Sequence, residues 1–188
     1  MKTAANVTST EVTSKNVTTK NIEKVDIKSI VICAMCIALT YIATAFINIR
    51  LPFQANGGLV HLGNVSLFIA AVLFGKKTGA IAGGIGMALF DLLSGWVLWA
   101  PFTLVIVGCM GFVVGKITEK HKGLGWILLA VFCALLIKIG GYYIAEGIIY
   151  GNWIAPVASI PGNIVQIVVG AVIAVPVIEV LNKVIVEK

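Results

Sequence analysis

Polar and apolar positions divide the chain into two unequal parts. Residues 1–26 are polar and β-branched, and a degenerate five-residue repeat (NVTST, EVTSK, NVTTK, NIEKV) gives them no apolar face to bury. The expectation is a disordered tail. Asn6-Val7-Thr8 and Asn16-Val17-Thr18 within it match the short N-x-[ST] acceptor pattern. From residue 27 onward, apolar runs long enough to cross hydrocarbon alternate with short polar breaks. They predict an all-α fold over 27–188, an integral membrane bundle of six transmembrane helices at about 29–48, 62–75, 78–94, 100–117, 124–149 and 157–183. Leu51 to Gly58, with Pro52, Gln54, Asn56 and two glycines, reads as a loop, and Ser94 to Trp99 as a turn. The third run is rich in small residues (Gly79, Ala82, Gly83, Gly86) that permit close helix contact. Pro161 falls in the first turn of the sixth, and Pro176 is expected to kink its far end.

Composition supports the membrane reading. Of 188 residues, 59% are hydrophobic and only 12% charged, where a soluble domain would carry about a quarter. Six spans leave no room for a nucleotide-hydrolysing domain, and the chain has no G-x-x-x-x-G-K-[ST] loop, so any ATP-driven step is powered by another chain. The net charge of +6 would suggest nucleic acid in a soluble protein, but here it reports topology. Lys2, Lys15, Lys20, Lys24 and Lys28, then Lys76 and Lys77, then Lys116, Lys120 and Lys122, then Lys183 and Lys188 all fall on one side of a six-span chain. Both termini are therefore expected in the cytoplasm, with Arg50 alone on the opposite face, and no nucleic-acid partner is expected. Cys33, Cys36, Cys109 and Cys133 lie in apolar runs and read as reduced core residues. His61 and His121 fall on opposite sides, so neither a shared metal site nor a cofactor is expected.

An ionisable side chain inside a span costs on the order of 3 kcal/mol even on lenient insertion scales, so each such residue needs a partner or a polar cavity. Asp91, Lys138 and Glu146 qualify. Lys138, Tyr142 and Glu146 recur at four-residue intervals and so line one face of the fifth helix toward the outer surface. Asn163 and Gln166 share a face of the sixth. Trp96 and Trp99 follow the third helix, while Tyr142, Tyr143, Tyr150 and Trp153 gather at the end of the fifth, which suits either an interfacial belt or stacking on a flat ring. His61 and Asn64 stand at the outer start of the second helix, and Asp91 is placed to order the adjoining loop or to pair with Lys138. Binding of a polar ligand and purely structural pairing both remain open for these residues.

Three stretches carry a resemblance: Gly58-Leu59-Val60-His61-Leu62-Gly63-Asn64, the run Leu73-Phe74-Gly75-Lys76-Lys77-Thr78-Gly79-Ala80-Ile81-Ala82-Gly83-Gly84-Ile85-Gly86, and Asp91-Leu92-Leu93. Over about residues 28 to 186 the chain resembles the substrate-binding S components of energy-coupling factor (ECF) vitamin transporters, of the riboflavin and pyridoxine or hydroxymethylpyrimidine type. The resemblance implies a subunit that binds a small-molecule vitamin from outside, joins a transmembrane coupling subunit and two cytoplasmic ATPase subunits, and topples in the lipid bilayer to release its cargo inward. It also implies that Leu51 to Gly58 forms a lid over a pocket built from the outer halves of helices four to six. An A-x-x-x-A motif meeting the coupling subunit is matched by Ala34 and Ala38.

Fold alone does not choose the vitamin. A pyridoxine-like or hydroxymethylpyrimidine-like ring suits aromatic side chains that stack beside Lys138, Glu146, Asn163 and Gln166 as hydrogen-bonding groups. Another vitamin such as riboflavin is the alternative within the family. Outside it stand a ligand-free scaffold subunit and an autonomous facilitator. An enzyme is not expected, since no nucleophile–base pair or metal-ligand set is visible.

Overall fold

The computed structural model describes residues 26–50 and 59–186. The N-terminal tail and the proposed lid, Leu51 to Gly58, lie outside the described residues. Among the described residues five α-helices form the fold: α1 (Ile27–Phe46), α2 (Gly63–Leu93), α3 (Ala100–Ile117), α4 (Leu124–Tyr150) and α5 (Ile160–Val186). A short 3-10 turn, Ala155–Ser159, leads into α5. All five helices are long and apolar enough to cross a membrane. Asp26 caps α1, where its carboxylate accepts from the Lys28 amide and the Ser29 hydroxyl. Pro161 sits in the first turn of α5, where a missing amide hydrogen costs nothing, and Pro176 lies inside that helix.

The largest departure from the expected elements is at α2. Two helices, 62–75 and 78–94, were expected here, but helical hydrogen bonding runs from Gly63 to Leu93 and breaks at the single residue Gly75, whose φ of 87° suits glycine. The arms on either side fold back on one another. A Cβ on Gly79 would strike Ala71, one on Gly83 would strike Leu67, and one on Gly63 would strike Met87, pairs that are symmetric about Gly75. Thus α2 is a helical hairpin with a one-residue elbow, and its arms, 63–74 and 76–93, each occupy the place of one rod in the bundle.

Small residues set the spacing of the next layer. The second arm of α2 runs antiparallel to α3 along Gly79, Gly84, Gly108, Gly111 and Gly115, with glycine opposite backbone at Gly111 and Gly79. On the other side Gly86 abuts Thr40 of α1. A core of Leu67, Phe68, Met87, Val107, Met110, Ile127, Ile167 and Ile178 ties both arms of α2 to α3, α4 and α5. Large apolar side chains also cover the outside, such as Met35 and Leu39 on α1, Phe132 and Leu136 on α4 and Val172 on α5. Such a surface suits lipid as the solvent. Of the four cysteines, Cys36 is buried and Cys33 and Cys133 are half-buried, all without disulfides. Cys109 departs from the core assignment: it is exposed on the outward side of α3, where an apolar surrounding accepts a thiol as readily as the core does.

One end of the bundle gathers lysines. Glu119, just past α3, accepts from Lys76 beside the elbow at 3.0 Å and from Lys116 at 3.2 Å. The opposite end carries an unexpected two-stranded ribbon, β1 (Asn48–Arg50) and β2 (Leu59–His61), paired antiparallel with Asn48 opposite His61. Backbone pairing between these short segments fixes where the chain enters and leaves the 51–58 connection.

Candidate functional site

At the ribbon end, the start of α2, the end of its second arm, the start of α3 and the end of α4 converge. The four-residue spacing on α4 aims Lys138, Tyr142 and Glu146 inward as expected. Lys138 is 2% exposed and Glu146 4%, so both charged groups lie inside the bundle rather than against lipid. The Lys138 ammonium rests over the Tyr142 ring, 5.3 Å from its centroid. Asp91, at the end of α2, attracts Lys138 electrostatically, yet among the described residues no salt bridge within 4.0 Å joins them.

Thr103, in the first turn of α3, meets Tyr142 of α4. Its hydroxyl lies 3.2 Å from the Tyr142 hydroxyl, within hydrogen-bond distance. Asp91 Oδ2 is buried with no hydrogen-bond partner. Thr103 was missed in the sequence because a threonine within a span is common. Its only signal was a place one turn from Trp99.

Aromatic residues divide into two sets. Trp99 packs 6.3 Å from Tyr142 and 6.1 Å from Tyr150, forming one wall of the charged site. Tyr143, one residue round the helix from Tyr142, faces elsewhere: it pairs with Trp153 at 6.2 Å and donates to the Trp153 carbonyl. Trp153 itself covers Gly147. Trp96 is half-buried and makes no ring pair among the described residues, its amide instead donating to the Asp91 carbonyl.

His61 ends β2, half-buried and within electrostatic reach of Lys138. Its Nδ1 accepts from the Gly63 amide, and burial together with the Lys138 charge pushes its pKa down to about 3, so the ring is neutral. Asn64 is completely buried, and its side-chain amide donates to the Gln166 carbonyl of α5 at 3.5 Å while its Oδ1 lacks a partner. Gln166 is buried and Asn163 half-buried on the same helix. The structure therefore joins His61, Asp91, Lys138, Tyr142, Glu146 and Trp99 in one electrostatic and aromatic cluster. Asn64 meets Gln166 at the neighbouring α2–α5 contact, and Asn163 and Trp96 stand beside these groups without a described side-chain contact. No group of three or more His, Cys, Asp or Glu able to hold a metal occurs among the described residues. Ala34 and Ala38 are exposed on α1, and Ala34 lines a surface groove with Ser29, Ile30, Cys33, Ile37 and Lys77 at the lysine-rich end.

The chain is 35% identical over 135 residues to the thiamine precursor transporter HmpT of Lactococcus lactis subsp. cremoris (strain MG1363), which covers 72% of this chain and 76% of that protein. It is 38% identical over 125 residues to an uncharacterized protein of Pyrococcus woesei, covering 66% of this chain and 83% of the relative. A solved structure described as the S component of a bacterial ECF transporter shares the fold, with a TM-score of 0.70 at 18% identity over 84% of this chain and 97% of the solved one. The sequence model described as "ECF-type riboflavin transporter, S component" matches residues 24–183. With a match over nearly all of its apolar length, and with helices able to cross a membrane, this chain belongs to that family of transporter S components, which is not an enzyme family.

Proposed function

We propose that this protein captures a small heteroaromatic vitamin precursor, hydroxymethylpyrimidine-like or pyridoxine-like, from outside the cell for ATP-driven uptake. The observation that carries this reading is the cluster of charged and aromatic side chains around Lys138, Tyr142 and Glu146, with both charged groups held inside the bundle. The similarity to a thiamine precursor transporter supports the same ligand class. In this reading the chain is a multi-pass cell-membrane protein of six spans, counting the two arms of α2 separately, with both termini in the cytoplasm. His61, Asn64, Asp91, Trp96, Trp99, Asn163 and Gln166 join the α4 face as the substrate site. Ala34 and Ala38 form the close contact with a transmembrane coupling subunit, and two cytoplasmic ATPase subunits supply the power. Riboflavin is the second reading, favoured by the description of the matching family.

Mass spectrometry of small molecules that co-purify with the protein names the ligand class directly. Titration calorimetry on Lys138→Ala and Glu146→Ala then tests the site: affinity falls severely in both if the cluster binds the ring. Unchanged affinity in both variants rejects it. Ala34→Trp is expected to keep ligand binding while losing complex formation and transport.

A further inference from the structure

Between α1 and the second arm of α2 a groove of about 370 Å³ opens on the outside of the bundle. Ile30, Ala34 and Ile37 stand along one face of α1 at helical spacing, and Ile81 of α2 forms the other wall. From Ser29 to Ile37 the helix rises about 12 Å, most of the depth of one leaflet of a hydrocarbon core about 30 Å thick. Ala34, the smallest of these side chains, leaves the hollow. Such walls give water too few hydrogen-bonding partners, so on a surface that faces lipid the space falls to an acyl chain.

One end of the groove has a different chemistry. Lys77 and Thr78 line it there, in the first turn after the Gly75 elbow, where the positive end of a helix dipole favours an anion. Lys76 and Lys116 are bound to Glu119, but Lys77 is exposed, and neither its ammonium nor the Thr78 hydroxyl has a hydrogen bond or ion pair among the described residues. The Ser29 hydroxyl, on α1, donates to Asp26 at 2.7 Å. Lys28 offsets the Asp26 charge at the same helix start, which leaves Lys77 as the unmatched charge of the groove. An apolar slot of leaflet depth that ends in an ammonium and a hydroxyl suits an acyl chain below a negatively charged headgroup.

We propose that this groove binds an anionic phospholipid such as phosphatidylglycerol, one acyl chain lying between Ala34 and Ile81 and the phosphate accepting hydrogen bonds from Lys77 Nζ and the Thr78 hydroxyl. The site stands apart from the cluster at the ribbon end, none of whose residues line it. It includes Ala34, so the lipid and the coupling contact proposed for that residue exclude one another. The lipid is the occupant of the subunit on its own.

Native mass spectrometry of the purified full chain, titrated with phosphatidylglycerol and phosphatidylcholine of identical acyl chains, reads the affinity of the first bound lipid. Phosphatidylglycerol is expected to bind about fivefold tighter, the effect of one lysine beside an anionic headgroup. Lys77→Gln removes that preference and leaves phosphatidylcholine binding within about twofold, whereas Lys122→Gln, outside the groove, keeps the preference. Ala34→Phe fills the hollow and weakens both lipids by about fivefold or more, as when one or two methylenes are no longer buried. Equal affinity for the two lipids in the unaltered protein overturns the proposal with no variant needed. A preference lost equally in Lys122→Gln assigns it to general surface charge, and affinities that Ala34→Phe leaves untouched put the lipid elsewhere; either result overturns it. A dimer that Ala34→Phe dissolves gives the groove to a second copy of the chain instead.

Discussion

The glycine seam between the second arm of α2 and α3 makes the fold testable with two substitutions of identical chemistry. In Gly111→Ala the new methyl group lands on the backbone of Gly79 and within 2.8 Å of the Ala80 nitrogen. Backbone cannot swing aside as a side chain would. Restoring even the 3.4 Å of ordinary contact requires the helices to part by on the order of 1 Å, a gap that forfeits about a quarter to a half of each contact's dispersion energy. Overpacking of this kind costs about 1–3 kcal/mol, or roughly 2–12 °C in melting temperature for a chain of this size. In Gly140→Ala the methyl meets nothing within 4 Å in the interior of α4, so the helix gains about 0.5–1 kcal/mol from the alanine alone. Thermal melts in one detergent, followed by tryptophan fluorescence, should move in opposite directions. If Gly111→Ala melts at or above Gly140→Ala, the α2–α3 contact described here is wrong.

Three further outcomes follow from single residues. Gly75→Ala is expected to destabilise by about 1–2 kcal/mol, because a side chain at φ 87° is strained even though no neighbour lies within 4 Å; an unchanged melting temperature would remove the elbow. His61 titrates at about 3 in the folded protein against an ordinary 6.5, so between those values the unfolded chain binds the extra proton; its contribution to stability is whole above about pH 6.5 and is lost as pH falls toward 3. Melts across that range should be flatter for His61→Gln, and identical profiles would contradict a ring held neutral in the folded protein. Glu119→Gln removes an acceptor from two half-exposed or exposed lysines, so in melts at moderate salt it should change stability little, as surface pairs do; a large loss would mean that the elbow depends on this clamp.

Hydropathy made the bundle legible because a span must satisfy its backbone internally and present apolar side chains outward, whatever its neighbours do. The four-residue spacing of Lys138, Tyr142 and Glu146 was equally local, since helix geometry alone puts them on one face. For the same reason the expected fourth helix, 100–117, agrees with α3 as found. The elbow was less legible: the pattern ends one helix at Gly75 and starts the next at Thr78, and only the structure, with Ala71 against Gly79, reduces the junction to one residue with positive φ. The β1–β2 ribbon was invisible because three-residue strands have no period to detect and owe their pairing to each other. Likewise, sequence grouped Tyr143 and Trp153 with Tyr142 and Trp99, although one step along a helix turns a side chain through about 100° and sends the pairs to different surroundings.

Sequence by itself thus determined that this is a membrane bundle, where its spans begin and end to within a few residues, and which charged groups need an explanation. Tertiary structure decided which of them meet. That Thr103 meets the Tyr142 hydroxyl and Trp99 packs near its ring depends on how α3 and α4 cross, where Gly141 abuts Ile106, residues far apart in the chain. Periodicity fixes the face a residue occupies on its own helix, whereas the partner on that face is fixed only when the helices pack.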